Sequence, residues 1–247
     1  MTSTNHLDHI DAFDTALQNY QLAPSALHTL SQTELVILVA PTSCGRSTLI
    51  RHLLRTGDYY FIISDTTRQP RSNDGVMEQD GVEYWFRNES DMLADIQAGK
   101  FLEAAVIHKQ QVSGISMREL AKATEAGKIA LTDAEIAGAD NVHRLKPDTI
   151  LLFVLPPSFE EWQRRINHRG VMEAGEYKRR MESAAAEFAH ALQRDYYRFV
   201  INDTVENAAE QVTRITKLDE TNADYQENAR GLAEQLLDST RLLLESL

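Results

Sequence analysis

One stretch constrains this chain more than any other: Leu35-Val36-Ile37-Leu38-Val39-Ala40-Pro41-Thr42-Ser43-Cys44-Gly45-Arg46-Ser47-Thr48. Leu35 to Ala40 is continuously apolar, rich in β-branched residues and leucine, and reads as a strand buried on both faces. A tight turn follows, and Ser47 to Thr56 predicts a helix. Strand, loop and helix in that order make a phosphate-binding corner. Backbone N–H groups wrap the anion there, and the helix N-terminus adds its partial positive charge. The pattern G-x-x-x-x-G-K-[ST] is met at Gly45 and Ser47 only. Ala40 stands at the first glycine and Arg46 at the lysine. Ala40 matters only if its position demands a positive φ or very close backbone approach. Arg46 keeps the charge, but a planar guanidinium is bulkier than an ammonium. Residues 40–48 are therefore the candidate ATP-phosphate loop, with the Ser47 hydroxyl as the candidate Mg²⁺ ligand.

At 247 residues the chain can bury a large core, and its apolar and charged fractions, 43% and 25%, are those of a globular protein. A formal net charge of −12 argues against nonspecific binding to nucleic acid or to an anionic membrane. A single cysteine, Cys44, excludes an internal disulfide framework and a cysteine-rich zinc site. The first residues lack a basic segment followed by an apolar run, and no stretch approaches a membrane span. The expected location is the cytoplasm. The eight histidines show no metal-ligand spacing.

Along the chain, apolar residues at helical spacing predict a helix over 6–20, and a short helical piece leads into the first strand. Tyr59 to Ile63 reads as a second strand. A polar segment, Ser64-Asp65-Thr66-Thr67-Arg68-Gln69-Pro70-Arg71, follows, and then a turn-rich loop over 72–80. Residues 83–87 read as a strand and 89–97 as a helix. Residues 101–108 and 111–113 read as paired strands, so a small β-rich insert interrupts the α/β alternation. A helix over 117–125 precedes a strand ending at Asp133. A second helix and the apolar strand 149–155 come next. Ser158, with Glu161 three residues on, forms a capping box for a helix reaching about Asn167. A glycine-containing loop over 168–176, a long helix over 177–197, a short strand ending at Asn202-Asp203 and a helix over 205–217 complete the pattern. The tail carries Leu232, Leu236, Leu243 and Leu247 as one face of a final helix.

Two arginines flanking a hydroxyl cluster, with Pro70 fixing the chain between them, suit a phosphate dianion. With that segment in place, the chain resembles the guanylate kinases over roughly Leu35 to Lys217. Ser64 to Arg71 is similar to the family's S-x-T-T-R-x-P-R, Leu131 to Gly138 to its D-x-D-x-x-G with Glu135 as the second acid, and Arg165 to Gly170 to its R-x-x-x-R-G. The resemblance implies an α/β fold: a P-loop kinase-type parallel sheet flanked by helices, with a small β-rich GMP-binding insert and a helical lid. It implies ATP-dependent phosphorylation of GMP to GDP with Mg²⁺. Ser64, Arg68, Arg71 and Tyr84 would hold the GMP phosphate, and Glu103, Ser116 and Asp133 would read guanine. Arg46, Arg165, Arg169 and Arg180 would act on the transferring phosphoryl group. Asn202 and Asp203 would lie by the adenine of ATP. The family's tyrosine before the glycine is replaced in Val112-Ser113-Gly114.

The expected division is an N-terminal helical extension over 1–33, a guanylate kinase-like domain over 34–217 and a C-terminal helical extension over 218–247. The insert spans about 64–116 and the lid about 164–180. The apolar stripes of the two extensions would pack on the core, on each other or across a homodimer. Arg46 and Ala40 also fit a second reading. Guanylate kinase-like modules keep the acceptor pocket, bind GMP or a phosphorylated partner, and catalyse weakly.

Overall fold

The computed structural model describes residues 7–73, 75–168 and 172–247. In chain order its elements are α1 (Ile10–Gln18), α2 (Pro24–Gln32), β1 (Leu35–Val39), α3 (Arg46–Arg55), β2 (Tyr59–Phe61), β3 (Asp65–Thr66), β4 (Ser72–Asn73), β5 (Val76–Met77) and β6 (Trp85–Phe86). The chain continues through α4 (Glu89–Gln97), β7 (Phe101–Ile107), β8 (Gln111–Ser116), α5 (Met117–Glu125), β9 (Ile129–Asp133) and α6 (Ile136–Leu145). It ends with β10 (Ile150–Leu155), α7 (Phe159–His168), α8 (Ala174–Leu192), β11 (Tyr197–Ile201), α9 (Val205–Lys217) and α10 (Ala223–Ser246). Two compact units result. One comprises Leu35–Tyr59 and Asp133–Leu247; the other comprises the chain up to Glu34 together with Tyr60–Thr132.

In the first unit β10 lies between β1 and β11, parallel to both, with Val36 opposite Ile150 and Leu151 opposite Tyr197. All five residues of β1 are buried, as are Leu151 to Leu155 of β10. Such strands have no polar face, so helices must cover both sides. Here α6 packs on β1, α9 and α10 pack on β11, and α3 packs on α9. Ser158 caps α7 as expected, accepting from Glu161 N–H at 3.2 Å, but the Glu161 carboxylate turns to Arg164 and Arg165, so the reciprocal half of the box is replaced by ion pairs.

The helix expected to reach Tyr197 stops at Leu192. Tyr197 instead opens β11, and its hydroxyl donates to Asp140 Oδ1 at 2.8 Å. Pairing with a buried strand outweighs continuation of the helical pattern there. The tail packs on α8 through Ala229, Ala233, Leu236, Leu237 and Thr240. Leu232 and Leu243 sit only at the rim, and Leu247 is exposed. The buried seam thus keeps Leu236 of the expected leucine face and adds Leu237 with three small residues, Ala229, Ala233 and Thr240.

In the second unit the sheet order is β6-β3-β8-β7, with β8 antiparallel to both β3 and β7. The N-terminal segment is built into this unit. Leu7 and Phe13 share a core with Met92, Ile96, Phe101 and Val112. Phe101 N–H donates to the Tyr20 hydroxyl at 2.8 Å, and that hydroxyl donates back to the Phe101 carbonyl. α2 packs on α5. The loop read as turn-rich over 72–80 contains a hairpin, β4 pairing antiparallel with β5. Gly75, in the turn between them, has φ 82°. No described helix is long and apolar enough to cross a membrane.

Candidate functional site

The turn between β1 and α3 carries two left-handed residues, Ser43 (φ 63°) and Gly45 (φ 89°). Ala40 is not among the positive-φ residues, so a Cβ costs nothing in backbone strain there. Gly45 is different. It is the N-cap of α3, and a Cβ on it would lie 2.2 Å from Asn202 Nδ2. That amide donates to the Cys44 carbonyl at 2.9 Å, fastening the loop to the end of β11.

Two further contacts hold the loop and a third braces Asn202. Trp162 Nε1 donates to the Thr42 carbonyl at 2.8 Å. Arg180 Nη1 donates to Thr42 Oγ1 at 3.4 Å. Arg165 Nη2 donates to the Asn202 carbonyl at 3.0 Å, while its Nε donates to Glu161. Residues of α7 and α8 therefore reach the loop directly. Arg169 lies outside the described residues. Two of the cavities that adjoin the loop bear on the site. One, of about 270 Å³, is lined by residues 39–47, Ala134, Glu135, Ile136 and Glu187. The other, of about 470 Å³, is bounded by Ser43, Gly45, Arg165, Asn202 and Asp203 among others.

Arg46 lines the smaller cavity. Its Nη2 pairs with Asp133 Oδ2 at 2.8 Å, and its Nη1 donates to the Ala134 carbonyl at 3.5 Å. Asp133 thus stands at the phosphate loop and belongs to the same compact unit, whereas Glu103 and Ser116 belong to the other. Glu187 was not singled out from sequence, since one glutamate on a long charged helix carries no signal. In the fold its Oε2 is buried with no hydrogen-bond partner. Burial pushes the carboxyl up to about 7, Arg46 opposing the shift and Glu135 adding to it.

That shift has a measurable sign. The native state keeps the Glu187 proton up to about pH 7, whereas the unfolded chain releases it near the ordinary value of 4.5. Stability is therefore lost as pH rises through that window. Glu187→Gln is expected to stabilise the protein by about 2 kcal/mol at pH 8 and very little at pH 5. Denaturant unfolding at the two pH values checks this, and an equal gain at both would contradict it.

The second unit holds the arginine segment. Arg68 and Glu78 form a bidentate pair, Nη1–Oε2 2.5 Å and Nη2–Oε1 2.8 Å, with side chains only 6% and 8% exposed. Arg68 also lies 4.6 Å from the centroid of the Tyr84 ring and 5.5 Å from that of Phe86. The Arg68 hydrogen bonds hold the Glu78 carboxyl down at about 2. Glu78 accepts from the Arg71 backbone N–H at 2.8 Å as well, and Arg71 itself is exposed. One carboxylate thereby holds the Arg68 guanidinium and the Arg71 backbone. Ser113, at the family's tyrosine position, donates to Thr66 Oγ1 at 2.9 Å.

Glu103 and Ser116 belong to neighbouring pairs of the β7–β8 ladder. Glu103 pairs with Ile115, and Ser116, the next residue along β8, pairs with Phe101. A bulge in β7 between these two pairs breaks the regular alternation of faces, and the ladder sets Ser116 opposite Phe101 rather than opposite Glu103. Glu103 is half-buried, and burial raises its carboxyl above the usual range. Ser64 is half-buried, and its carbonyl accepts from Trp85 N–H at 2.9 Å.

The profile of the Guanylate kinase family matches residues 32–218. The chain belongs to the guanylate kinase family. It is 36% identical over 184 residues to the guanylate kinase of Corynebacterium diphtheriae, covering 73% of this chain and 93% of that one. It is 32% identical over 192 residues to guanylate kinase 1 of Oryza sativa subsp. japonica, covering 76% of this chain but only about half, 49%, of that relative. The crystal structure of guanylate kinase from Anaplasma phagocytophilum superposes with a TM-score of 0.55 at 24% identity, over 82% of this chain and 94% of that one, a likeness of fold. Within a guanylate kinase frame Glu78 is the largest omission of the sequence reading. Its loop position and its acidity were visible, but nothing local distinguished it from Glu83 or Asp80.

Proposed function

We propose that this chain transfers the γ-phosphoryl group of ATP to GMP, giving ADP and GDP. One observation carries the reading: the phosphate loop is not an isolated corner, because Arg165 and Arg180 both reach it through Asn202 and Thr42. A module that only holds an acceptor has no use for cations fastened to the donor loop.

In this reading residues 40–48 cradle the ATP phosphates, with Asn202 and Asp203 toward the nucleoside. Arg68 and Arg71, oriented by Glu78, grip the GMP phosphate beside Tyr84, with Ser64 alongside and Glu103 reading the base. A GMP phosphate oxygen attacks the γ-phosphorus; the new P–O bond forms as the bond to the β-γ bridging oxygen breaks, and that electron pair leaves on ADP. The attacking oxygen is already anionic, so no general base is needed. Arg46, Arg165 and Arg180 spread positive charge over the equatorial oxygens.

The Ser47 hydroxyl and the nearby carboxylates of Asp133 and Glu135 are hard oxygen donors, a set that fits Mg²⁺ bound mainly through phosphates and water. Bound there with ATP, the ion would neutralise phosphate charge. Pairing of Arg46 with Asp133 favours the second reading, a weakly catalytic module, because the loop cation is already engaged. A coupled ADP-release assay with GMP, dGMP and AMP separates the two. Turnover is expected with GMP and not with AMP; no turnover with any acceptor would leave the module.

A further inference from the structure

We propose that the cavity beneath α2 is a second binding site, taking a small organic phosphate; of the residues expected to hold ATP or GMP, Ser116 alone lines it. It encloses about 380 Å³ and is bounded by Ser25, Arg87, Lys100, Phe101, Ser116 and Arg118 among others. All of these lie in one unit, and Ser25 belongs to the stretch ahead of the family match.

Ser116 gives the strongest pointer. It is 4% exposed, and its Oγ is buried with no hydrogen-bond partner. It is also the N-cap residue of α5, where a serine hydroxyl ordinarily caps its own helix, yet it makes no cap bond. A buried hydroxyl is left unpaired only at a cost, and an acceptor oxygen from a ligand would relieve it.

Two helix N-termini meet at this cavity. Ser116 to Arg118 open α5, Ala23 and Ser25 open α2, and neither helix has a side-chain cap. Pro24 has no N–H, Ala26 N–H donates to the Ala23 carbonyl and Met117 N–H to the Lys100 carbonyl, so the dipoles of the two helices, more than free donors, favour an anion here.

The charge around the cavity points the same way. Arg87 pairs with Asp65 and Asp95 at 2.8 Å, Lys100 pairs with Asp95 at 2.9 Å, and Arg118 pairs with Asp65 at 3.2 Å. Three cations thus share two carboxylates. Glu119, 4.0 Å from Arg118, is matched by Lys122 at 2.7 Å, so one positive charge remains in surplus. Phe101 and Met117 add apolar wall, and the volume exceeds what a bare phosphate fills. The fitting ligand is a phosphate ester with a compact, partly apolar body.

The test is isothermal titration of the full chain, in saturating ADP and GMP, with phenyl phosphate and separately with inorganic phosphate as probes. Phenyl phosphate is expected to bind about tenfold more tightly than inorganic phosphate. Ser116→Ala is expected to weaken it about fivefold, and Thr29→Phe, which fills the cavity from α2, to abolish it. Binding unchanged in both variants, binding lost instead in Arg71→Ala, no binding, or phenyl phosphate no tighter than inorganic phosphate would each overturn the proposal. The two cavity variants decide the matter whether or not GMP is the acceptor.

Discussion

Arg46→Ala is expected to lower kcat for GMP phosphorylation by a hundred- to a thousandfold. The guanidinium lines the phosphate cavity and is steered by Asp133 and the Ala134 carbonyl. Losing one preorganised donor to a developing oxyanion costs about 3–4 kcal/mol of barrier, which is roughly that loss in rate. Arg46→Lys distinguishes adaptation from decay. Both anchors of Arg46 are oxygen atoms, 2.8 and 3.5 Å from different nitrogens of one planar fork, a geometry an ammonium cannot reproduce. If the loop is built around the arginine, lysine is expected to give no gain over wild type. A lysine variant that turns over faster would show the loop to be a decayed lysine site. Steady-state kinetics at saturating ATP reads both.

The second large effect is expected at the buried pair of Arg68 and Glu78. Removing one member leaves the other charged and buried, which costs about 3–5 kcal/mol. Arg68→Met and Glu78→Leu are each expected to lower the melting temperature strongly, while the double variant recovers most of it. Activity is expected to separate from stability in that double variant, with GMP turnover staying low because the acceptor phosphate has lost its clamp. Restored stability with wild-type kcat/KM for GMP would contradict the assignment of Arg68. The pair also sets an acid limit. Glu78 is held at about 2, below its ordinary 4.5, so its stabilisation is complete above the higher value and is lost as pH falls toward the lower.

Much of this fold could be read from local pattern. The strand–loop–helix over residues 35–55, the helix Glu89–Gln97 and the helix Met117–Glu125 fall where apolar periodicity and glycine stops place them. Pairing partners were harder, because they depend on residues far away in the chain. Tyr197 looked helical by spacing and became a strand through Leu151 and Asp140. The hairpin at Ser72–Met77 is too short and too exposed to show an alternating pattern.

The candidate site divides the same way. Gly45, Ser47, Arg68 and Arg71 announced themselves by spacing, while Glu78 and Glu187 matter through neighbours brought in by folding. Glu103 and Ser116 share an expected role in reading guanine, and the ladder pairs them with different residues, Ile115 and Phe101, on either side of a bulge in β7. A one-residue difference in register reverses every side chain on a strand, and sequence alone does not settle it.

The most direct measurement follows the phosphoryl group itself. Wild-type protein is mixed with [γ-³²P]ATP, Mg²⁺ and GMP, and the nucleotides are separated after partial turnover. Labelled GDP is the expected product, with labelling strongly reduced when Arg46→Ala or Arg71→Ala replaces the wild type. Binding of GMP without any labelled GDP would contradict the kinase and leave a module that holds the acceptor alone.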